Sequence, residues 1–294
     1  MTASVAPRFV FVLGTGRCGS SLVHEVLARH PDVGFVTNVE DRFGTVRLGA
    51  AGPRIYRALP PSVSTKGRLR FAPSEAYGAL AAQVSPALER PTRDLVAGDA
   101  TPWLSARTRT FFESHAQRQR TGVFIHKFTG WPRAGFLQAI WPDAAFIHIV
   151  RDGRAVVNSL LQMPWWRGWS GPHGWTFGPL PGPYAEEWEA SGRSFVTLAA
   201  LEWKVLMDAF AAAAVAPGTW LELRYEDVVA DPRGSFAAML EHCNLAWTPA
   251  FERGFTRYHF SQARKDAYRK DLGLRQVALL DACLKSHLER HGYQ

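Results

Sequence analysis

The stretch FVFVLGTGRCGSSLVHEVLARH, residues 9–30, decides the fold because it joins an apolar run to a glycine-rich loop and a helical pattern. The run at residues 9–13 is continuous and rich in β-forming side chains, which is typical of a buried parallel strand. Apolar side chains within residues 22–27 then repeat at helical spacing, and Pro31 ends that pattern. The chain therefore opens with a strand, a glycine loop and a helix.

Strand and helix patterns alternate along the rest of the chain. Strands are predicted near residues 33–36, 123–128, 145–150 and 220–224, and helical patterns lie between them. Such alternation is typical of an α/β protein in which a mainly parallel sheet is covered by helices on both faces. Ligands of this class bind at the carboxyl ends of the strands. We therefore predict a single three-layer domain over residues 1–294.

Residues 164–188 interrupt this alternation. They contain five tryptophans among several glycines and prolines: Trp165, Trp166, Trp169, Trp175 and Trp188. A loop of this length inside a compact domain is usually functional, so we predict a lid or a wall on the side of an acceptor molecule. The alternative is a small satellite core under a long loop.

Composition narrows the class of partner. The formal net charge is +8, from 34 basic and 26 acidic residues, which favours anionic ligands. No block of like charges is present, which weighs against nucleic acid. The first eight residues lack the pattern of a signal peptide, and no run approaches the roughly 18 apolar residues that span a bilayer. These patterns predict a cytoplasmic protein without stable membrane insertion, and they leave the oligomeric state open.

Residues 14–21, GTGRCGSS, predict an anion site. Backbone N–H groups in such a loop and the N-terminus of the next helix both favour negative charge. The spacing is that of the phosphate-binding loop GxxxxGK[ST], but Ser20 stands at the lysine position and Arg17 carries the positive charge instead. The missing lysine argues against ordinary ATP or GTP hydrolysis. A dinucleotide loop GxGxxG, with Glu40 as ribose partner, is not excluded by spacing.

A second cationic signal follows the strand predicted at residues 145–150. Arg151 comes directly after this strand, at the ligand-binding edge of the sheet, and Ser159 lies two turns along the next helix. An arginine and a serine placed in this way are a reasonable clamp for a phosphate. The alternative is a surface ion pair between Arg151 and Asp152.

With both signals in hand, the chain resembles the sulfotransferases that use PAPS (3′-phosphoadenosine-5′-phosphosulfate). It is most similar to the branch with the tyrosylprotein sulfotransferases and related bacterial enzymes. Four stretches carry the resemblance, and they follow one another in the family's order: residues 11–33, 123–159, 223–232 and 268–272. The resemblance implies a P-loop-NTPase-like fold and transfer of a sulfonate group, with PAP (adenosine 3′,5′-bisphosphate) as the product.

The resemblance also implies a role for each residue of the motifs. The 5′-phosphosulfate is assigned to the loop residues Thr15, Gly16, Arg17, Cys18, Gly19, Ser20 and Ser21, and the 3′-phosphate to Arg151 and Ser159. Lys127 matches the family's lysine at a strand end, where with Arg17 it neutralises charge during transfer. Basic residues near the C-terminus are candidates to close over the nucleotide, and the resemblance does not choose among them: Arg264, Lys265, Arg269 and Lys270. The alternative is that they form a solvated helix face.

The general base is the least determined part of the predicted site. Several relatives carry an acid after the second strand, where this chain offers Glu40 first and Asp41 second, although Asn38 occupies the position that matches without a gap. Asp99 is a third candidate because it precedes a Thr-Pro pair.

The histidines show no metal-binding spacing, so no metal is predicted. In-line transfer to a hydroxyl of a small-molecule, carbohydrate or lipid acceptor is expected. The alternatives are a P-loop nucleotide kinase or hydrolase and a non-enzymatic nucleotide-binding module.

Overall fold

The computed structural model describes residues 7–44, 46–64, 71–213, 215–263 and 265–293. The strands are β1 (Arg8–Gly14), β2 (Val33–Gly34), β3 (Val123–Thr129), β4 (Ala145–Val150) and β5 (Trp220–Arg224). The helices are α1 (Ser20–Leu27), α2 (Asn38–Arg42), α3 (Ala51–Ala58), α4 (Pro61–Ser64), α5 (Tyr77–Gln83), α6 (Pro102–Gln119), α7 (Ala134–Ile140), α8 (Gly153–Leu161), α9 (Gly182–Ala190), α10 (Phe195–Ala212), α11 (Tyr225–Ala230), α12 (Pro232–His242), α13 (Pro249–Phe255), α14 (Ala267–Asp271) and α15 (Leu274–Arg290).

The five strands form one parallel sheet in the order β2-β3-β1-β4-β5. The first strand of the chain is therefore the central one, between β3 and β4. Its register pairs Val12 with Lys127 of β3, and Gly14 with Thr129. Because all the strands run the same way, the glycine loop after β1 and the residues that end β3 and β4 meet at one edge.

The side chains of β1 alternate between two separate cores. Phe9, Phe11 and Leu13 pack on one face of the sheet, whereas Val10 and Val12 pack on the other. Helices α6, α7, α8, α10 and α15 cover the first face, and α1, α3, α12 and α13 cover the second. A continuous apolar strand is buried on both faces only in such an arrangement. The predicted three-layer α/β fold is confirmed.

The tryptophan-rich segment is more structured than the sequence predicted. It contains a short 3-10 turn at Gly168–Ser170, and α9 begins at Gly182. Trp175 belongs to a small core with Trp131, so part of the segment is the satellite core that was the alternative. Trp165 stays 57% exposed.

Candidate anion-binding site

The loop between β1 and α1 has a backbone that requires glycine at two positions. Gly16 and Gly19 adopt φ angles of 90° and 94°, in the left-handed region, and Arg17 between them has φ 55°. A Cβ atom on Gly19 would lie 2.2 Å from the ring of Tyr225. Helix α1 carries no acidic residue in its first turn, so the partial positive charge of its N-terminus faces the loop unopposed by a local carboxylate.

Arg17 joins the loop to α8. Its Nε donates to Oγ of Ser159 at 2.8 Å, and its backbone carbonyl accepts a hydrogen bond from Nη1 of Arg151 at 2.9 Å. All three residues line a cavity of about 260 Å³, whose other walls include Asn158 and Asp271. The structure thus brings together the residues that the sequence assigned to the 5′ and 3′ ends of the nucleotide.

Tyr225, at the start of α11, is part of this site although the sequence singled out only the stretch that contains it. Its ring packs against Gly19, and the guanidinium of Arg151 lies 4.8 Å from the ring centroid. A cation at this distance from a phenol ring is attracted by the negative face of the ring. Tyr225 therefore fixes the position of Arg151 relative to the loop.

Lys127 on β3 lies beside the loop because β3 pairs in register with β1. It is 5% exposed, and its Nζ donates to Oγ of Ser21 at 3.0 Å and to Oγ1 of Thr129 at 3.1 Å. The third acceptor is Oε1 of Glu75, with which Lys127 forms an ion pair. Sequence reasoning missed Glu75, because it lies in a segment with neither helical nor strand periodicity.

Glu75 reaches Lys127 through backbone pairing beyond the end of β2. Thr37 and Pro73 form an isolated antiparallel bridge, and Ser74 N–H donates to the carbonyl of Val36 at 2.8 Å. This pairing carries residues 71–76 along the sheet edge to the end of β3. An acid distant in sequence is thereby placed against the buried lysine.

The three acids that the sequence offered as a base do not contact Lys127 in the described part of the chain. Glu40 is 2% exposed and closes the N-terminal cap of α2, where its Oε2 accepts from the N–H and Oγ1 of Thr37 at 3.1 and 2.9 Å. Asp41 accepts from Oγ of Ser74 at 2.8 Å and from the N–H of Ala79 at 3.0 Å. Asp99 pairs with exposed Arg93. The structure engages each of these carboxylates in a local cap or surface pair and brings none of them to Lys127.

The other residues assigned to the nucleotide lie in the loop after β1 and on or near α14. Cys18 is fully buried in the core under α1, so only its backbone faces the loop. Arg269 and Lys270 are exposed on α14, whose residues that line the 260 Å³ cavity are Ala267 and Asp271 instead. Arg264 lies outside the described residues. The remaining loop positions, Thr15, Gly16, Ser20 and Ser21, lie where the sequence placed them, between β1 and the first turn of α1.

A larger cavity, of about 530 Å³, opens on the other side of Glu75. Its lining combines Arg17 and Glu75 with aromatic side chains: Tyr77, Trp131, Trp165 and Phe177. The phenol of Tyr77 accepts from the N–H of Thr129 at 2.9 Å and donates to its carbonyl at 3.1 Å, and burial raises the pKa of Tyr77 well above its ordinary value. Tyr77 is thus a neutral lining residue of the aromatic cavity, held in place by the backbone of Thr129.

A buried histidine lies beside the glycine loop. His24, behind Ser21, has its pKa lowered to about 3 by burial and by the charge of Lys127, so it is neutral at physiological pH.

Over the described ranges, no three His, Cys, Asp or Glu side chains form a metal-binding group, and no helix is long and apolar enough to cross a membrane.

The fold and the site together define a class of protein. A parallel sheet with a glycine loop after its central strand, and with cations along its carboxyl edge, is the architecture of P-loop-like nucleotide-binding proteins. A model of the sulfotransferase family matches residues 7–249. The chain belongs to the sulfotransferase family, and the resemblance inferred from the sequence is confirmed.

Curated relatives support the same family. The omega-hydroxy-beta-dihydromenaquinone-9 sulfotransferases Stf3 of Mycobacterium bovis and Mycobacterium tuberculosis are each 27% identical to this chain over 191 residues. The alignment covers 63% of this chain and 45% of each relative, so the matched region is just under half of the relatives' length.

Solved structures share the fold. Sulfotransferase STF9 from Mycobacterium avium is similar with a TM-score of 0.57 at 15% identity, over 99% of this chain and 78% of that one. The sulfotransferase domain from the curacin biosynthetic pathway gives 0.52 at 12% identity, over 98% of both chains. At these identities the likeness concerns the fold alone, and it agrees with the P-loop-NTPase-like sheet described above.

Proposed function

We propose that the protein transfers the sulfonate group of PAPS to a hydroxyl of a small acceptor molecule. The observation that carries this proposal is the convergence of Arg17, Lys127 and Arg151 on one glycine loop, with Arg17 hydrogen-bonded to Ser159 at 2.8 Å. Such a site suits a ligand in which one nucleoside carries negative charge at both of its ends. The 5′-phosphosulfate and 3′-phosphate of PAPS have that distribution of charge.

The donor set fits this molecule. The loop backbone, Ser20, Ser21 and the N-terminus of α1 form an anion cradle for the 5′ end. Arg151 and Ser159 line the 260 Å³ cavity that would take the 3′-phosphate. In this arrangement Arg17 touches both ends, because its side chain reaches Ser159 while its backbone belongs to the loop. Planar guanidinium groups suit such oxygen-rich anions because they donate two parallel hydrogen bonds.

Sulfonate transfer needs positive charge near the leaving phosphate and a base near the attacking hydroxyl. Lys127 supplies the charge from the end of β3. We propose Glu75, instead of Glu40, as the base, because it contacts Lys127 and lines the 530 Å³ cavity where an acceptor can enter. The acceptor oxygen then bonds to sulfur as the bond from sulfur to the phosphate oxygen breaks. Glu75 takes the hydroxyl proton, and the phosphate keeps the electron pair.

The acceptor side of the site favours a hydroxylated molecule with apolar or ring-containing parts. Trp131, Trp165 and Phe177 supply aromatic walls beside Glu75, and such walls take up flat apolar surface. The curated relatives named above carry a hydroxylated dihydromenaquinone in their names. A lipid, a carbohydrate or another small hydroxylated compound is the acceptor class that we propose.

Two measurements test this function. Calorimetry should show that PAP binds more tightly than ADP, which lacks the 3′-phosphate, and labelled sulfate should pass from PAPS to members of a panel of hydroxylated compounds. Arg17→Ala should abolish the transfer, whereas Arg193→Ala, at an exposed arginine paired with Glu189, is the matched control. Undiminished transfer by Arg17→Ala, or magnesium-dependent ATP turnover without a preference for PAP, would contradict the proposal.

A further inference from the structure

A second cavity, of about 540 Å³, adjoins the acceptor-side cavity. Arg90, Trp165, Thr176 and Phe177 line both, so the two cavities meet along a common wall. The wall consists largely of the tryptophan-rich segment. An acceptor that extends from Glu75 past Trp165 therefore meets this second cavity next.

The second cavity has indole walls and one buried carboxyl group. Trp166 and Trp175 line it and are 4% and 9% exposed, and Glu202 of α10 lines it at 5% exposure. The mechanism proposed above does not use any of these three side chains. An acid in an aromatic wall is costly to bury unless it has hydrogen-bond partners, so its presence there needs a reason.

Glu202 has unused capacity to bind a polar group. Nε1 of Trp166 donates to its Oε2 at 2.9 Å, which is the one hydrogen bond that the carboxyl makes within the described part of the chain. Across those same residues no lysine, arginine or histidine forms an ion pair with it. Burial raises the pKa of Glu202 to about 7, so the group can accept or donate a hydrogen bond near neutral pH.

We infer that the second cavity binds a hydroxyl-bearing ring of the acceptor, remote from the hydroxyl that is sulfonated, with the ring against the indoles and its hydroxyl on Glu202. This inference rests on the proposed function, because it extends the acceptor site of that reaction. A phenol and a sugar ring share the required chemistry: a face that stacks on an indole and an edge that hydrogen-bonds a carboxyl. An apolar ring would bury Glu202 against carbon and gain no partner for it.

The experiment compares matched acceptors. A series of ω-hydroxyalkyl phenols with increasing chain length is assayed beside ω-hydroxyalkyl benzenes, which lack only the ring hydroxyl, and ω-hydroxyalkyl glucosides form the sugar arm. Wild type, Glu202→Leu and Glu202→Gln are compared, with Glu189→Gln on the exposed side of α9 as the control. If Glu202→Leu does not fold, Glu202→Gln carries the test, with a smaller expected effect.

The expected result is selective. Glu202→Leu should raise KM for the ring-hydroxyl acceptors by about tenfold more than for the benzenes, and the arm that shows this identifies a phenol or a sugar. Parallel changes in both acceptors, or no change in either, would overturn the inference. If no acceptor is sulfonated, the proposed function fails. The inference is then tested by binding alone, measured as quenching of tryptophan fluorescence by the same compounds in the absence of PAPS. Binding that Glu202→Leu weakens selectively supports it, and unselective binding overturns it.

Discussion

Arg17 and Ser159 are 142 residues apart in sequence, yet Nε of the arginine donates to Oγ of the serine at 2.8 Å. The contact joins the loop after β1 to the helix after β4, which are neighbouring strands of the sheet. In the proposed function these two elements hold opposite ends of one nucleotide. The hydrogen bond therefore sets the spacing between the two anion sites before a ligand enters.

This relationship predicts coupled losses of affinity. Ser159→Ala should weaken PAP binding about tenfold, because it removes both a phosphate ligand and the partner that orients Arg17. Arg17→Ala should weaken it further, but less in the Ser159→Ala background than in wild type, since the two residues act as a unit. Calorimetry on the four proteins of this double-mutant cycle gives the coupling. Ser286→Ala, exposed on α15, is the control, and strictly additive losses would contradict the prediction.

The contact between Glu75 and Lys127 predicts the kinetic signature of a base. Glu75→Gln should lower kcat by about 10²- to 10⁴-fold, because glutamine cannot accept the proton. Single-turnover assays with PAPS in excess separate this loss from donor binding. Glu113→Gln, on α6 at the opposite end of the sheet, is the matched control. A normal rate with Glu75→Gln, together with a large loss in Glu40→Gln, would restore the assignment made from the sequence.

Gly19 predicts a stability effect that arises from backbone and packing together. Gly19→Ala requires an alanine at φ 94° and places its Cβ 2.2 Å from the ring of Tyr225. The left-handed conformation alone costs about 1–3 kcal/mol, and displacement of the ring disturbs Arg151, so both the melting temperature and PAP affinity should fall. Gly182→Ala is the control, because no atom lies within 4 Å of its added Cβ. Equal melting temperatures for the two variants would exclude this explanation.

The fold, and the position of the glycine loop within it, could be predicted because their signals in the sequence are local. The continuous apolar run at residues 9–13 predicts the central strand β1, and the glycines that follow it predict the loop. The positions of Arg151 and Lys127 could be predicted because parallel strands end at one edge of the sheet. Arg151 comes directly after β4, and Lys127 lies near the end of β3.

The assignments of a base and of nucleotide-closing residues stay predictions, because their signals in the sequence are less local. Glu40 was chosen because it follows β2, but a threonine three residues before a glutamate is also the signature of a helix cap, and the cap is what forms. Glu75 comes from a segment placed by one backbone bridge, between Thr37 and Pro73, which leaves no periodic trace in the sequence. Local patterns cannot specify a contact of that kind.

Glu202 predicts how stability depends on pH. Burial raises its pKa from the ordinary 4.5 to about 7, against the opposing hydrogen bond from Trp166. A folded-state pKa above the unfolded value means that the folded protein holds the proton more tightly, so the stability it provides is complete below pH 4.5 and is lost as the pH rises to about 7. Glutamine does not titrate. The free energy of unfolding of Glu202→Gln, relative to wild type, should therefore increase by about 1–3 kcal/mol between about pH 5 and about pH 8. Urea denaturation at both values measures the change, and Glu189→Gln, on exposed α9, should follow wild type. A difference between Glu202→Gln and wild type that stays constant with pH would show that the carboxyl does not titrate in this window.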